Sequence, residues 1–87
     1  MSTEYSRLWW RCRRGTRELD FLLSGFLQAE YESLSPEQVG SFKALLAVQD
    51  PVIMDWLMGV VLPPPELRPM VEKILRHSET LSPSAVD

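Results

Sequence analysis

A chain of 87 residues with 45% hydrophobic side chains, 24% charged side chains and a formal net charge of −3 has the size of one small domain. At that length folding buries roughly 60% of the unfolded surface, which leaves little room for a deep catalytic cavity. One cysteine, Cys12, and one histidine, His77, exclude an internal disulfide and a Cys/His zinc site made from the chain's own residues.

Apolar residues recur every three and four positions, with no alternating run and no Asn-Gly or Asp-Gly hairpin signal. The predicted fold class is therefore all-α, a small bundle of about five helices. The first helix is expected from about Thr3 to Arg13, with Leu8, Trp9 and Cys12 towards the core and Gly15 in the left-handed conformation that ends helices. Thr16 is placed to cap the second helix, where Leu19, Leu22, Leu23, Phe26 and Leu27 make a broad buried stripe. Gly25 inside that helix costs about 1 kcal/mol relative to alanine, which points to a close helix crossing or an early end.

The clearest local signal is Leu34-Ser35-Pro36-Glu37-Gln38-Val39. Ser35 caps, Pro36 takes the first helical position, Gln38 returns a hydrogen bond to the Ser35 backbone, and Leu34 staples against Val39. Phe42, Leu45 and Leu46 continue this buried face until Asp50-Pro51 restarts the pattern as cap plus first-turn proline. Ile53, Trp56, Leu57 and Val60 then face inward, and Met54, Met58 and Met70 read as gap-fillers. After Pro63-Pro64-Pro65, helical spacing returns at Leu67, Met70, Val71, Ile74 and Leu75, and Pro69 fixes the start near Glu66 because it has no amide to donate further in. Periodicity stops at Ser78, so residues 1–77 read as a single helical domain and 78–87 as a mobile C-terminal tail.

Charge is unevenly spread. Residues 1–17 carry five arginines (7, 11, 13, 14 and 17) against Glu4, whereas residues 18–87 carry four basic side chains against eleven acids. Arg7, Arg11 and Arg14, spaced by four and three, would share one helical face and could contact phosphates. The acidic body repels a polyanion, so no nucleic acid partner is expected. The apolar stretch from Val52 to Leu62 is interrupted by Asp55 and too short to cross a bilayer, and no signal-peptide pattern precedes it. A soluble, cytoplasmic chain in a reducing compartment is expected.

No glycine-rich phosphate loop, no paired carboxylates at an apolar pocket and no Ser/His/Asp set is present in the sequence, so neither enzymatic activity nor a tightly bound cofactor or metal is expected. Cys12 has arginine neighbours but falls on the apolar side of its helix, and reads as a buried, inert thiol. His77 reads as a complement to a helix C-terminal dipole.

The segment Arg13-Arg14-Gly15-Thr16-Arg17-Glu18-Leu19-Asp20 places a guanidinium, a bare glycine and a carboxylate close together. Two readings stand. In one, Glu18 offsets the second helix's dipole and pairs with Arg14, while Gly15 only makes the corner. In the other, Gly15 lets a partner's backbone approach while Arg14 and Glu18 offer a donor fork and an acceptor on either side.

With Trp10, Cys12, Arg13-Arg14-Gly15, Glu18-Leu19-Asp20, Tyr31-Glu32-Ser33-Leu34-Ser35, Asp50-Pro51 and Trp56-Leu57-Met58 on the page, the chain resembles the bacterial flavinylation and assembly factors of succinate dehydrogenase, the SdhE/YgfY-like family, from about Ser6 to Arg76. The resemblance implies a small helical bundle that is not itself a catalyst. It would bind the flavoprotein subunit of succinate dehydrogenase, and of fumarate reductase where present, and promote covalent attachment of FAD between a partner histidine and the flavin 8α-methyl carbon. By motif position Arg14, Gly15 and Glu18 would be the central partner contact, with Arg7 and Trp10 beside them. FAD would end on the partner, and the factor would be monomeric when free. An antitoxin-like or other small protein-binding regulator is the alternative, and a carrier of FAD is a third reading for which the sequence offers no site.

Overall fold

Five α-helices and one 3-10 turn follow one another in a computed structural model that describes residues 3–81: α1 (Thr3–Arg11), α2 (Arg17–Glu30), the 3-10 turn (Tyr31–Ser33), α3 (Pro36–Leu46), α4 (Asp50–Leu57) and α5 (Arg68–Leu81). No strand occurs among the described residues, so the all-α expectation holds. Helix α2 packs on α5 and α1, and α5 also packs on α3 and α4. Leu19, Leu23, Phe26 and Leu27 of α2 meet Phe42 and Leu45 of α3, Ile53 and Trp56 of α4, and Met70, Val71 and Ile74 of α5 in one continuous core. Each such side chain contributes roughly 1.5–3 kcal/mol by leaving water. Phe26 and Phe42 sit with ring centroids 5.6 Å apart and tilted by 39°, a favourable aromatic arrangement.

Helix α3 begins as its sequence dictates. The Gln38 amide donates to Ser35 Oγ at 3.1 Å, and the Ser35 amide donates to Gln38 Oε1 at 2.9 Å, with Pro36 in the first turn. This capping box satisfies two amides that a helix start would otherwise leave open. Elsewhere the backbone departs from the expected pattern. Thr16 stands at the cap of α2 in extended conformation, but its side chain accepts no capping bond. Gln49, not Asp50, is the cap residue of α4, and Asp50 lies inside the helix. Helix α2 runs on through Gly25 without ending.

The left-handed glycine among the described residues is Gly59, at φ 79°, and not Gly15. Beyond Met58, Gly59 donates its amide to Trp56 O at 3.2 Å and Val60 donates to Asp55 O at 2.9 Å. This paired pattern closes α4 and turns the chain away. As a result Val60, expected inside, is exposed, and so is Met58, expected as a core gap-filler. A turn at residues 65–67 precedes α5, whose helix starts at Arg68 rather than Glu66. Helix α5 continues to Leu81, into the segment assigned to the tail, while 82–87 lie outside the described residues. His77 is thus within the helix, edge-on to Phe26 and 3.7 Å from Glu30 through Nδ1, and does not serve a helix end.

Candidate functional site

Helix α1 ends at Arg11, and the Cys12 amide closes its last turn on Leu8 O at 3.0 Å. Arg14 therefore leaves the helical face it would have shared with Arg7 and Arg11. Its side chain is largely buried against the C-terminal end of α3. There it donates to the carbonyl oxygens of Leu46 and, at 3.3 Å, of Val48, while Nη1 meets Asp50 Oδ1 at 3.0 Å. Arg11 reaches the same helix and donates to Lys43 O at 3.4 Å. The carbonyls at a helix C-terminus are unsatisfied and partly negative, so they are natural acceptors for a guanidinium fork.

Asp50 completes the arrangement. Its second oxygen, Oδ2, accepts the backbone amide of Gly15 at 3.1 Å. One carboxylate thus joins the Arg14 guanidinium and the Gly15 backbone, although both lie far away in sequence. The expected pairing of Arg14 with Glu18 is not formed, because Asp50 and the α3 carbonyls occupy the guanidinium. Read from sequence, Asp50 was a helix cap. No local signal marks it as a partner of residues 14 and 15, since the contact spans two helices.

Gly15 is exposed, and a Cβ placed on it would meet only Asp50 Oδ2, at the ordinary contact distance of 3.7 Å. Two residues later α2 begins. Glu18 lies in its first turn, exposed and without a hydrogen bond or ion pair among the described residues, next to fully buried Leu19. A carboxylate here is favoured by the positive end of the helix. Gly15 and Glu18 form one open turn, with Arg14 beneath it.

On α1, Arg7 and Trp10 are both exposed and three residues apart, Trp10 by 67%. The Arg13 guanidinium stands 5.9 Å from the Trp10 ring centroid, and its Nε meets Asp20 Oδ2 at 3.4 Å. Half-buried Trp9 borders two shallow hollows, one with Tyr5, Ser6, Trp10 and Gln28, the other with Arg13, Arg17, Asp20 and Phe21. Phe21 is 62% exposed and was absent from the expected site. Its position outside the stripe at 19, 22, 23, 26 and 27 was the available signal.

Cys12 is fully buried, and burial pushes its thiol up to about 12 despite the neighbouring Arg14. No cluster of three His, Cys, Asp or Glu side chains that could hold a metal occurs among the described residues. None of the described helices is long and apolar enough to cross a membrane.

The family model described as flavinator of succinate dehydrogenase matches residues 6–78. The chain is also similar to proteins named FAD assembly factor SdhE. One from Legionella pneumophila (strain Paris) is 45% identical over 71 residues, covering 82% of this chain and 90% of that relative. One from Yersinia pseudotuberculosis is 39% identical over 82 residues, 93% of both chains. A third, from Coxiella burnetii, is 40% identical over 73 residues, covering 84% of this chain and 85% of the relative. The chain belongs to the family of flavinators of succinate dehydrogenase.

Proposed function

We propose that this member of the flavinator family is a protein-binding assembly factor for the flavoprotein subunit of succinate dehydrogenase, and of fumarate reductase where that client exists, promoting covalent attachment of FAD. The observation that carries the reading is the Gly15–Glu18 turn: an exposed carboxylate with no partner among the described residues, beside a glycine whose own fold does not need the missing side chain. Gly15 admits a partner's backbone and Glu18 supplies an acceptor for its donors. Arg7 and Trp10 extend the contact along α1.

The factor takes no part in the bond-making. Its cysteine is buried and protonated, and the flavin ends on a histidine of the client rather than on this chain. It acts as a monomer through differential binding: by favouring the client conformation in which that histidine and the flavin 8α-methyl carbon meet, it raises the population from which the bond forms. The test is in-gel ultraviolet fluorescence of the flavoprotein from cells carrying the wild-type chain, no chain, or Glu18→Ala. Fluorescence should fall without the chain and stay low with Glu18→Ala. Three equal bands would remove this reading.

A further inference from the structure

We propose that Asp50 is the positioning residue of the Gly15–Glu18 turn, an assignment that rests on the partner-binding reading above. The carboxylate uses both oxygens across the fold, Oδ1 to Arg14 Nη1 at 3.0 Å and Oδ2 to the Gly15 amide at 3.1 Å. Asp50 is not engaged in capping α4, whose cap residue is Gln49. Gly15 does not take the left-handed conformation, so no φ particular to glycine fixes its backbone. The Asp50 carboxylate supplies that constraint.

The effect passes to Glu18 through the backbone. The chain leaves Gly15, takes an extended Thr16, and closes the first turn of α2 with the Asp20 amide on Thr16 O at 3.0 Å. Holding the Gly15 amide therefore sets where α2 starts and where its first-turn carboxylate points. Arg14 acts at the same point from the other side: it is bonded to Leu46 O and Val48 O, and so ties Asp50 and the turn to the end of α3. Of the three motif residues, Gly15 and Glu18 face the partner and Arg14 belongs to the support.

The experiment measures binding of the full chain to purified flavoprotein subunit, together with amide hydrogen exchange of the free chain. The variants are Asp50→Ala, Asp50→Asn, Glu18→Ala, the Asp50→Ala/Glu18→Ala pair, and Ile53→Val as a control that loosens the same helix from its buried side. Asp50→Ala should weaken binding at least tenfold and speed exchange at Gly15 by a similar factor, while Ile53→Val changes neither. Asp50→Asn, which keeps one oxygen for the Gly15 amide, should recover part of both. The paired variant should lose less binding than the two single losses added, because Asp50 acts in part through Glu18.

Binding by Asp50→Ala equal to wild type, or losses that add fully in the pair, would overturn the assignment. If the wild-type chain fails to bind the flavoprotein, the functional reading falls, and Asp50 is judged on the free chain: faster exchange from Gly15 to Glu18 in Asp50→Ala sustains its positioning role, and unchanged exchange removes it.

Discussion

Arg14 donates its guanidinium to the main-chain oxygen of Leu46, so a residue from the loop after α1 closes the end of α3. Removing it leaves two carbonyls and the Asp50 carboxylate short of their donor in a poorly hydrated place. Arg14→Ala should lower unfolding free energy by about 2–4 kcal/mol, read from urea denaturation. Arg14→Lys should recover less than half of that, since an ammonium cannot reproduce the fork. A loss below about 0.5 kcal/mol for Arg14→Ala would contradict the structural role.

Gly15 and Glu18 should behave in the opposite way. A methyl on Gly15 meets nothing closer than 3.7 Å, and Glu18 has no partner to lose among the described residues. Gly15→Ala and Glu18→Ala should each shift stability by no more than about 0.5 kcal/mol. Both should reduce flavoprotein binding at least tenfold. Thermal melts beside binding isotherms separate the two effects, and a Gly15→Ala chain that binds normally would show that the glycine is not a contact.

Cys12 gives a pH dependence at the alkaline end. Its thiol is raised by burial from 9.0 to about 12, so the folded chain holds its proton where the unfolded chain releases it. The contribution is fully present below pH 9.0 and is lost as pH rises from there towards about 12. The slope of stability against pH in this window should be steeper for wild type than for Cys12→Ala. The folded thiol should also resist a disulfide-exchange reagent at neutral pH and react only on unfolding.

Glu4 gives the acidic counterpart. The Tyr31 hydroxyl donates to it at 2.6 Å, Lys43 Nζ meets its other oxygen at 3.0 Å, and these hold its carboxyl below the usual value of 4.5. Its contribution is present above pH 4.5 and is lost as pH falls through the lowered folded value. Tyr31→Phe removes the larger cause, so the Glu4 carboxyl resonance should titrate at higher pH in that variant. An unchanged titration would mean that the hydroxyl contact is absent in solution.

Sequence patterns revealed the features that depend on neighbours along the chain. The Ser35/Gln38 box, the stripe from Leu19 to Leu27 and the apolar spacing of α5 are local periodicities, and each appears in the fold as read. The exposed turn from Gly15 to Glu18 is also legible, because its residues are contiguous. The intramolecular partners of Arg14 and Asp50 are not legible in the sequence, because packing determines them. Short-range logic offers Glu18 to Arg14 and a helix end to Asp50, whereas the tertiary fold brings them to each other. Val60 differs for another reason: a helical repeat extended across Gly59 meets the left-handed backbone that ends it, whereas Met58 stands exposed at the C-cap of α4.

The carboxylate that spans Arg14 and Gly15 makes the exposed turn a product of complete folding. A partly opened chain that keeps α1 and α2 would still lack this turn geometry until residues 46–50 dock. The Gly15–Glu18 turn therefore reports on the docking of residues 46–50 against the loop after α1. Under the proposed function, an incompletely folded chain would not present the surface offered to the flavoprotein.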